Sequence, residues 1–160
     1  MNFEDLMRVV QSLNTEDAFR LRIDGFQWRI LANYISPQEY RTGDHLIIEG
    51  DRDRTLYFIG QGSVQLYPGV SNPGGRVLML RPGAVLGEAG LFREGPHVAN
   101  AEAMTPVVAW VLRQPRFEEM VQRAPALAVE VMRAAGGVLI ARARASLHRQ
   151  GPSSPSVTVY

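Results

Sequence analysis

The spacing of apolar residues changes character twice along the chain. Phe3, Leu6, Met7, Val10 and Leu13 recur at helical intervals and predict a first helix that stops at Asn14 or Thr15. Thr15-Glu16-Asp17 reads as a second helix start, with acidic residues in its first turn. Leu21, Ile23, Phe26, Ile30, Leu31 and Tyr34 carry the apolar content on, so the first 36 residues are expected to form two or three short helices. From Pro37 to Val111 the pattern becomes short apolar runs between turn residues. The runs are Leu46–Ile48, Leu56–Ile59, Val64–Tyr67, Val77–Leu80, Val85-Leu86 and Val107–Leu112. Thr42-Gly43-Asp44, Glu49-Gly50-Asp51, Gly60-Gln61-Gly62, Asn72-Pro73-Gly74-Gly75 and Arg81-Pro82-Gly83 punctuate them, and Asn72–Gly75 is the best hairpin tip. Short strands at this spacing predict a sandwich or barrel.

After Pro115 the helical period returns. Phe117, Met120 and Val121 precede Leu127, Val131, Met132, Ala135, Val138 and Leu139, with Pro125 placed to open a long helix running to about His148. Residues 151–160 read as a flexible tail. The expected fold is mainly β with flanking helices on both sides.

Composition changes this picture little. Hydrophobic residues make up 46% and charged residues 21% of 160 residues, ordinary for a globular domain. Chemistry is narrowed more sharply. The chain has no Cys, which removes disulfides, thiolate metal sites and cysteine nucleophiles. All 17 basic residues are Arg, so no lysine can form a Schiff base or reach a phosphate. Basic and acidic residues nearly balance at a net +1, giving no overall pull toward nucleic acid or an anionic membrane. No apolar run is long enough for a membrane span, and the acidic amino terminus does not resemble a signal peptide, so a cytoplasmic protein is expected.

Between Tyr40 and Tyr67 the sequence runs Tyr-Arg-Thr-Gly-Asp-His-Leu-Ile-Ile-Glu-Gly-Asp-Arg-Asp-Arg-Thr-Leu-Tyr-Phe-Ile-Gly-Gln-Gly-Ser-Val-Gln-Leu-Tyr. With Gly43, Gly50, Gly60 and Gly62 at its glycine positions, this stretch resembles the opening of the cyclic-nucleotide-binding domain family. The resemblance resumes at Arg81-Pro82-Gly83-Ala84-Val85-Leu86-Gly87-Glu88-Ala89-Gly90-Leu91-Phe92 and covers roughly residues 25–148. It implies a jelly-roll β-barrel with N-terminal helices and a long C-terminal helix. Residues 1–24 would then be a helical extension, 25–148 the domain and 149–160 a tail.

In that family the ligand lies in a phosphate-binding cassette, here Leu86 to Ala101. The resemblance nominates Leu86, Gly87, Glu88, Ala89, His97, Val98 and Asn100 as ligand-binding residues. It assigns Glu88 to a ribose 2′-hydroxyl and the backbone N–H groups after Gly87 to the phosphate. The most informative departure is His97, which stands where the family has Arg. Arg presents a fixed, permanently charged fork to a phosphate; His is shorter and mostly neutral at pH 7. A phosphate left without a full partner costs about 2–5 kcal/mol. Asn100 likewise replaces a pocket-lining Thr. Arg93 on the cassette loop, or His97 as an imidazolium below about pH 6.5, would offer substitutes.

Two functions stay open. One is a regulatory sensor for cyclic AMP, cyclic GMP or cyclic di-GMP that signals through its C-terminal helix to a protein partner or a second copy. The other is a ligand-free dimeric scaffold or adaptor on the same fold. No required cofactor is expected. An enzyme is not expected either, since no paired carboxylates, metal cluster or activated nucleophile is visible. His45 has no partner at metal-ligand spacing. Glu88 alternatively hydrogen-bonds the cassette backbone or pairs with a nearby Arg. Arg142, Arg144 and Arg149 read as solvated charges suiting the helix end, with a basic partner site as the alternative. Leu127, Ala134 and Ala141, with Val131, Val138 and Ala145, form a seam that suits a homodimer or packing on the chain's own β-structure. No winged helix-turn-helix is expected after the long helix, hence no direct DNA binding. Trp28 and Trp110 are expected to be packing residues on the first helix and last strand.

Overall fold

The structure is a computed structural model that describes residues 1–149. The expected tail, residues 151–160, lies outside the described residues. The chain opens with α1 (Phe3–Ser12), whose Asn2 cap and Asp5 exchange reciprocal hydrogen bonds with each other's backbone N–H. The second helix, α2 (Gly25–Ala32), starts at an equivalent box between Asp24 and Gln27, not at Thr15. The Thr15 start fails for a physical reason. Asp17 turns its carboxylate to Arg142 instead of capping, and 15–17 close only one turn, Ala18 N–H to Thr15 O. Trp28 thus sits on the second helix.

Eight antiparallel strands follow: β1 (Ser36–Tyr40), β2 (His45–Ile47), β3 (Leu56–Gln61), β4 (Val64–Pro68), β5 (Leu78–Leu80), β6 (Val85–Leu86), β7 (Ala99–Ala103) and β8 (Val107–Leu112). They form two four-stranded sheets in the orders β1-β8-β3-β6 and β2-β7-β4-β5. The jelly roll is therefore two open sheets face to face and not a closed barrel. Two strands escaped the sequence pattern. β1 contains Pro37, tolerated because β1 is an edge strand pairing only with β8. β7 places Ala99, Ala101 and Ala103 inward, and alanine carries little strand preference. Asn72–Gly75 closes a turn between β4 and β5, as expected.

Strand β3 explains why Leu56, Tyr57, Phe58 and Ile59 are all apolar. Leu56 and Phe58 join the core under the helices, and Tyr57 and Ile59 join the core between the sheets. Alternation sends neighbours to opposite faces, and both faces are covered. Leu6 and Val10 of α1 are buried in the helix-side core, so residues 1–24 share it with the rest of the fold. Phe3 packs against both Trp28 and Trp110, at ring centroid separations of 6.1 and 5.8 Å. The helices α3 (Gln114–Arg123) and α4 (Pro125–Arg149) complete the fold. Leu127, Val131, Ala134 and Val138 of the predicted seam are buried in the chain's own core. What α4 leaves exposed is a different face, with Val129, Ile140 and Leu147.

Candidate functional site

The chain leaves β6 through Gly87, whose φ is +81°. A Cβ there would lie 2.2 Å from the Thr55 carbonyl oxygen, so the position needs glycine on both grounds. One 3-10 turn, Glu88–Leu91, follows. Arg54 Nε donates to the Gly90 carbonyl at 2.7 Å and fastens that turn to the loop between β2 and β3. The chain then returns along the β2–β3 loop. Gly50 N–H donates to His97 O at 2.9 Å, His97 N–H to Asp51 O at 2.8 Å, and Gly69 N–H to Val98 O at 3.1 Å.

This excursion encloses a cavity of about 540 Å³, within the range of small-molecule sites. Ile47 and Leu66 form part of its wall, and Leu139 reaches it from α4. The lining is mainly apolar. Its charged or titratable members are Asp53, Arg93, Glu94 and His97.

The structure brings Gly87, Ala89, His97 and Val98 together around this cavity. Leu86 is instead buried between the sheets. Asn100 accepts the Glu49 N–H through its side-chain oxygen at 2.9 Å, and neither Asn100 nor Glu88 lines the cavity. Glu88 is fully buried, and its Oε1 accepts from an Arg142 Nη of α4 at 2.9 Å. That is the ion-pair alternative left open for Glu88.

His97 is mostly enclosed, and its Nε2 lies 3.3 Å from an Asp53 carboxylate oxygen. The Asp53 hydrogen bond raises the imidazole above the ordinary histidine value, against partial burial, and the charges of Asp53 and Asp51 add to the rise. Burial pushes Asp53 up, but the His97 and Thr55 hydrogen bonds and the His97 and Arg113 charges outweigh it and hold Asp53 low. The pair thus favours imidazolium and carboxylate. The cation that His97 offers to the cavity is thus already neutralised by a neighbour.

Arg142 corrects the sequence reading most directly. It is not a solvated helix-end charge but only 4% exposed. Its guanidinium binds Glu88, the Val85 carbonyl at 2.8 Å and Asp17 at 3.1 Å. It therefore ties α4 to the cassette and to the segment before α2. Burial raises the Glu88 carboxyl despite the Arg142 charge. Asp17 is also raised by burial, but the Arg142 charge and hydrogen bond outweigh it and hold Asp17 below the ordinary range. Glu88 Oε2 is buried with no hydrogen-bond partner. A signal for Arg142 was present: it is in phase with Leu127, Val131, Ala135 and Val138 on the buried stripe of α4. Asp53 and Leu139 were also missed, because loop path and helix docking bring them to the cavity.

His45 Nε2 lies 3.1 Å from the Tyr67 hydroxyl at an exposed site. No group of three or more metal-binding side chains occurs among the described residues. None of the described helices is long and apolar enough to cross a membrane.

Residues 37–124 match the sequence profile of the cyclic nucleotide-binding domain. The acetyltransferase Pat of Mycolicibacterium smegmatis is 34% identical over 88 residues, 55% of this chain and 26% of that protein. A cAMP-dependent protein kinase regulatory subunit from Debaryomyces hansenii is 30% identical over 122 residues, 74% of this chain and 24% of that one. The chain spans between 11% and 35% of the length of these and similar curated relatives. Among solved structures, a cyclic nucleotide-binding domain from Methylobacillus flagellatus superposes with a TM-score of 0.80 at 24% identity, covering 96% of this chain and 85% of that one. The profile match takes in more than half of the chain, including the Leu56–Ile59 strand and the Gly87–Val98 excursion, and the chain belongs to the cyclic nucleotide-binding domain family.

Proposed function

We propose that the chain is a regulatory sensor module in which a small nucleotide enters the Gly87–Val98 cavity and α4 carries the change onward. One observation carries this reading. The helix that reaches the cavity through Leu139 is the helix whose Arg142 grips the cassette at Glu88. A ligand that moves the cassette therefore acts on α4 directly, and one that binds two α4 positions unequally shifts their populations. The receiver is a protein partner or a second copy seated on the exposed Val129, Ile140 and Leu147 face. The module has a regulatory role and no catalytic one of its own.

Cyclic AMP and cyclic GMP are the first ligands to test, since relatives carry those names, followed by cyclic di-GMP. His97 and Arg93 are the cations that line the cavity. The second reading, a ligand-free scaffold, is favoured by a specific fact: Glu88 and His97 already have partners within the chain.

Isothermal titration with the three nucleotides at pH 6 and pH 8 separates the readings. The sensor reading expects saturable binding of at least one, abolished in Ala89→Trp, which fills the cavity. No heat with any of them at either pH supports the scaffold.

A further inference from the structure

We propose a second ligand site, for a small anion bearing a phosphoryl group, in the cleft between residues 16–22 and α4. The cleft measures about 300 Å³ and shares no residue with the cassette cavity. On α4, Gly137 lines the cleft and Leu139 lines the cavity. Two residues are about 200° around a helix, so the two sites use opposite faces of α4.

Three arginines, Arg20, Arg22 and Arg133, line the cleft, and all three are exposed. Arg133 pairs with Glu130, one turn away at 3.1 Å, and Arg20 donates once, to the Thr15 carbonyl at 3.2 Å. Arg22 has no hydrogen bond or ion pair among the described residues. Each guanidinium carries five N–H donors, so most of this donor capacity is unused. Planar forks of this kind match phosphoryl oxygens. The wall bearing Arg20 and Arg22 is held in place, because Asp17 at its start is bound by the buried Arg142.

The floor supplies the independent observation. Ala18, Ala134 and Gly137 leave it bare. Glycine inside a helix costs stability relative to alanine. Gly137 has no left-handed backbone to justify it, and a Cβ there would meet nothing within 4 Å. Neither conformation nor packing calls for glycine at 137. A side chain at that position would stand in the cleft, and its absence keeps the cleft open. Glu16 and Glu130 line the same cleft and offset part of the arginine charge.

The experiment is calorimetric titration of the full chain with inorganic phosphate and with pyrophosphate at fixed salt. The expected result is saturable binding of pyrophosphate at one site per chain. It should weaken about tenfold in Arg22→Gln and in Arg133→Gln. Gly137→Leu should abolish it while leaving the circular dichroism spectrum unchanged. Arg93→Gln, in the cassette cavity, should leave it intact. Absence of saturable binding, equal binding in Arg22→Gln and Arg133→Gln, or loss in Arg93→Gln would each overturn the proposal. Failure here leaves the cassette reading untouched, since the two sites share no residue.

Discussion

Arg142→Met removes a guanidinium with three anchoring contacts and little solvent. Glu88 remains, fully buried, and the Val85 carbonyl loses its donor. Asp17 is partly exposed, so water recovers much of what it loses. Stripping one partner from a buried ion pair costs about 3–5 kcal/mol, because the other charge stays buried. For a chain of this size each kcal/mol lowers the melting temperature by about 2–4 °C, so a fall of roughly 6–20 °C is expected. The deficit should depend on pH. Glu88 is raised by burial, so the folded state takes up its proton more readily than the unfolded state, and acid favours folding through this group. Losing Arg142 raises it further. Asp17, held low by Arg142 in the unsubstituted chain, is ionised at pH 5 and at pH 8 alike; without Arg142 its burial raises it, which also shrinks the deficit at pH 5. The deficit measured by urea denaturation should therefore be smaller at pH 5 than at pH 8. Arg142→Met combined with Glu88→Gln should recover at least half of it. A loss below about 1 kcal/mol at pH 8, or no recovery in the double variant, would refute the argument that the pair is a buried charge lock.

Asp53→Asn removes the hydrogen bond that raises His97, so the imidazole should titrate at lower pH in an NMR titration; an unchanged midpoint would show that the pair does not set it. The stability His97 gains from Asp53 is full below its ordinary value of about 6.5 and is lost as pH rises through the raised value, so Asp53→Asn should cost more at pH 6 than at pH 9. Gly87→Ala must hold φ near +81° against the Thr55 carbonyl, and should lose about 1–3 kcal/mol in urea denaturation from backbone strain alone. Leu139→Ala opens the cavity beside α4, and should weaken a bound nucleotide about tenfold in calorimetry.

What was legible in the sequence depended on how each residue is used. Strands whose side chains fill both cores, such as Leu56–Ile59, announced themselves through continuous apolarity. Strand β7 did not, because its inward positions are alanines, which carry little strand preference. The cassette path was legible through Gly87, whose geometry only glycine satisfies. Its electrostatics were not. His97 was seen as a missing Arg, but its Asp53 partner comes from a loop 44 residues earlier. Arg142 was misplaced because charge was weighed above phase. An arginine in register with Val131 and Val138 sits on the buried face, and only an ion pair lets it stay there.

The most direct test is a backbone NMR titration of the full chain with cyclic AMP and then cyclic GMP. A sensor requires amide shifts at Gly87–Val98 that continue into α4 between Gly136 and Ala143, saturating at one ligand per chain. No shift in the cassette with either nucleotide, or cassette shifts with α4 unmoved, would contradict it.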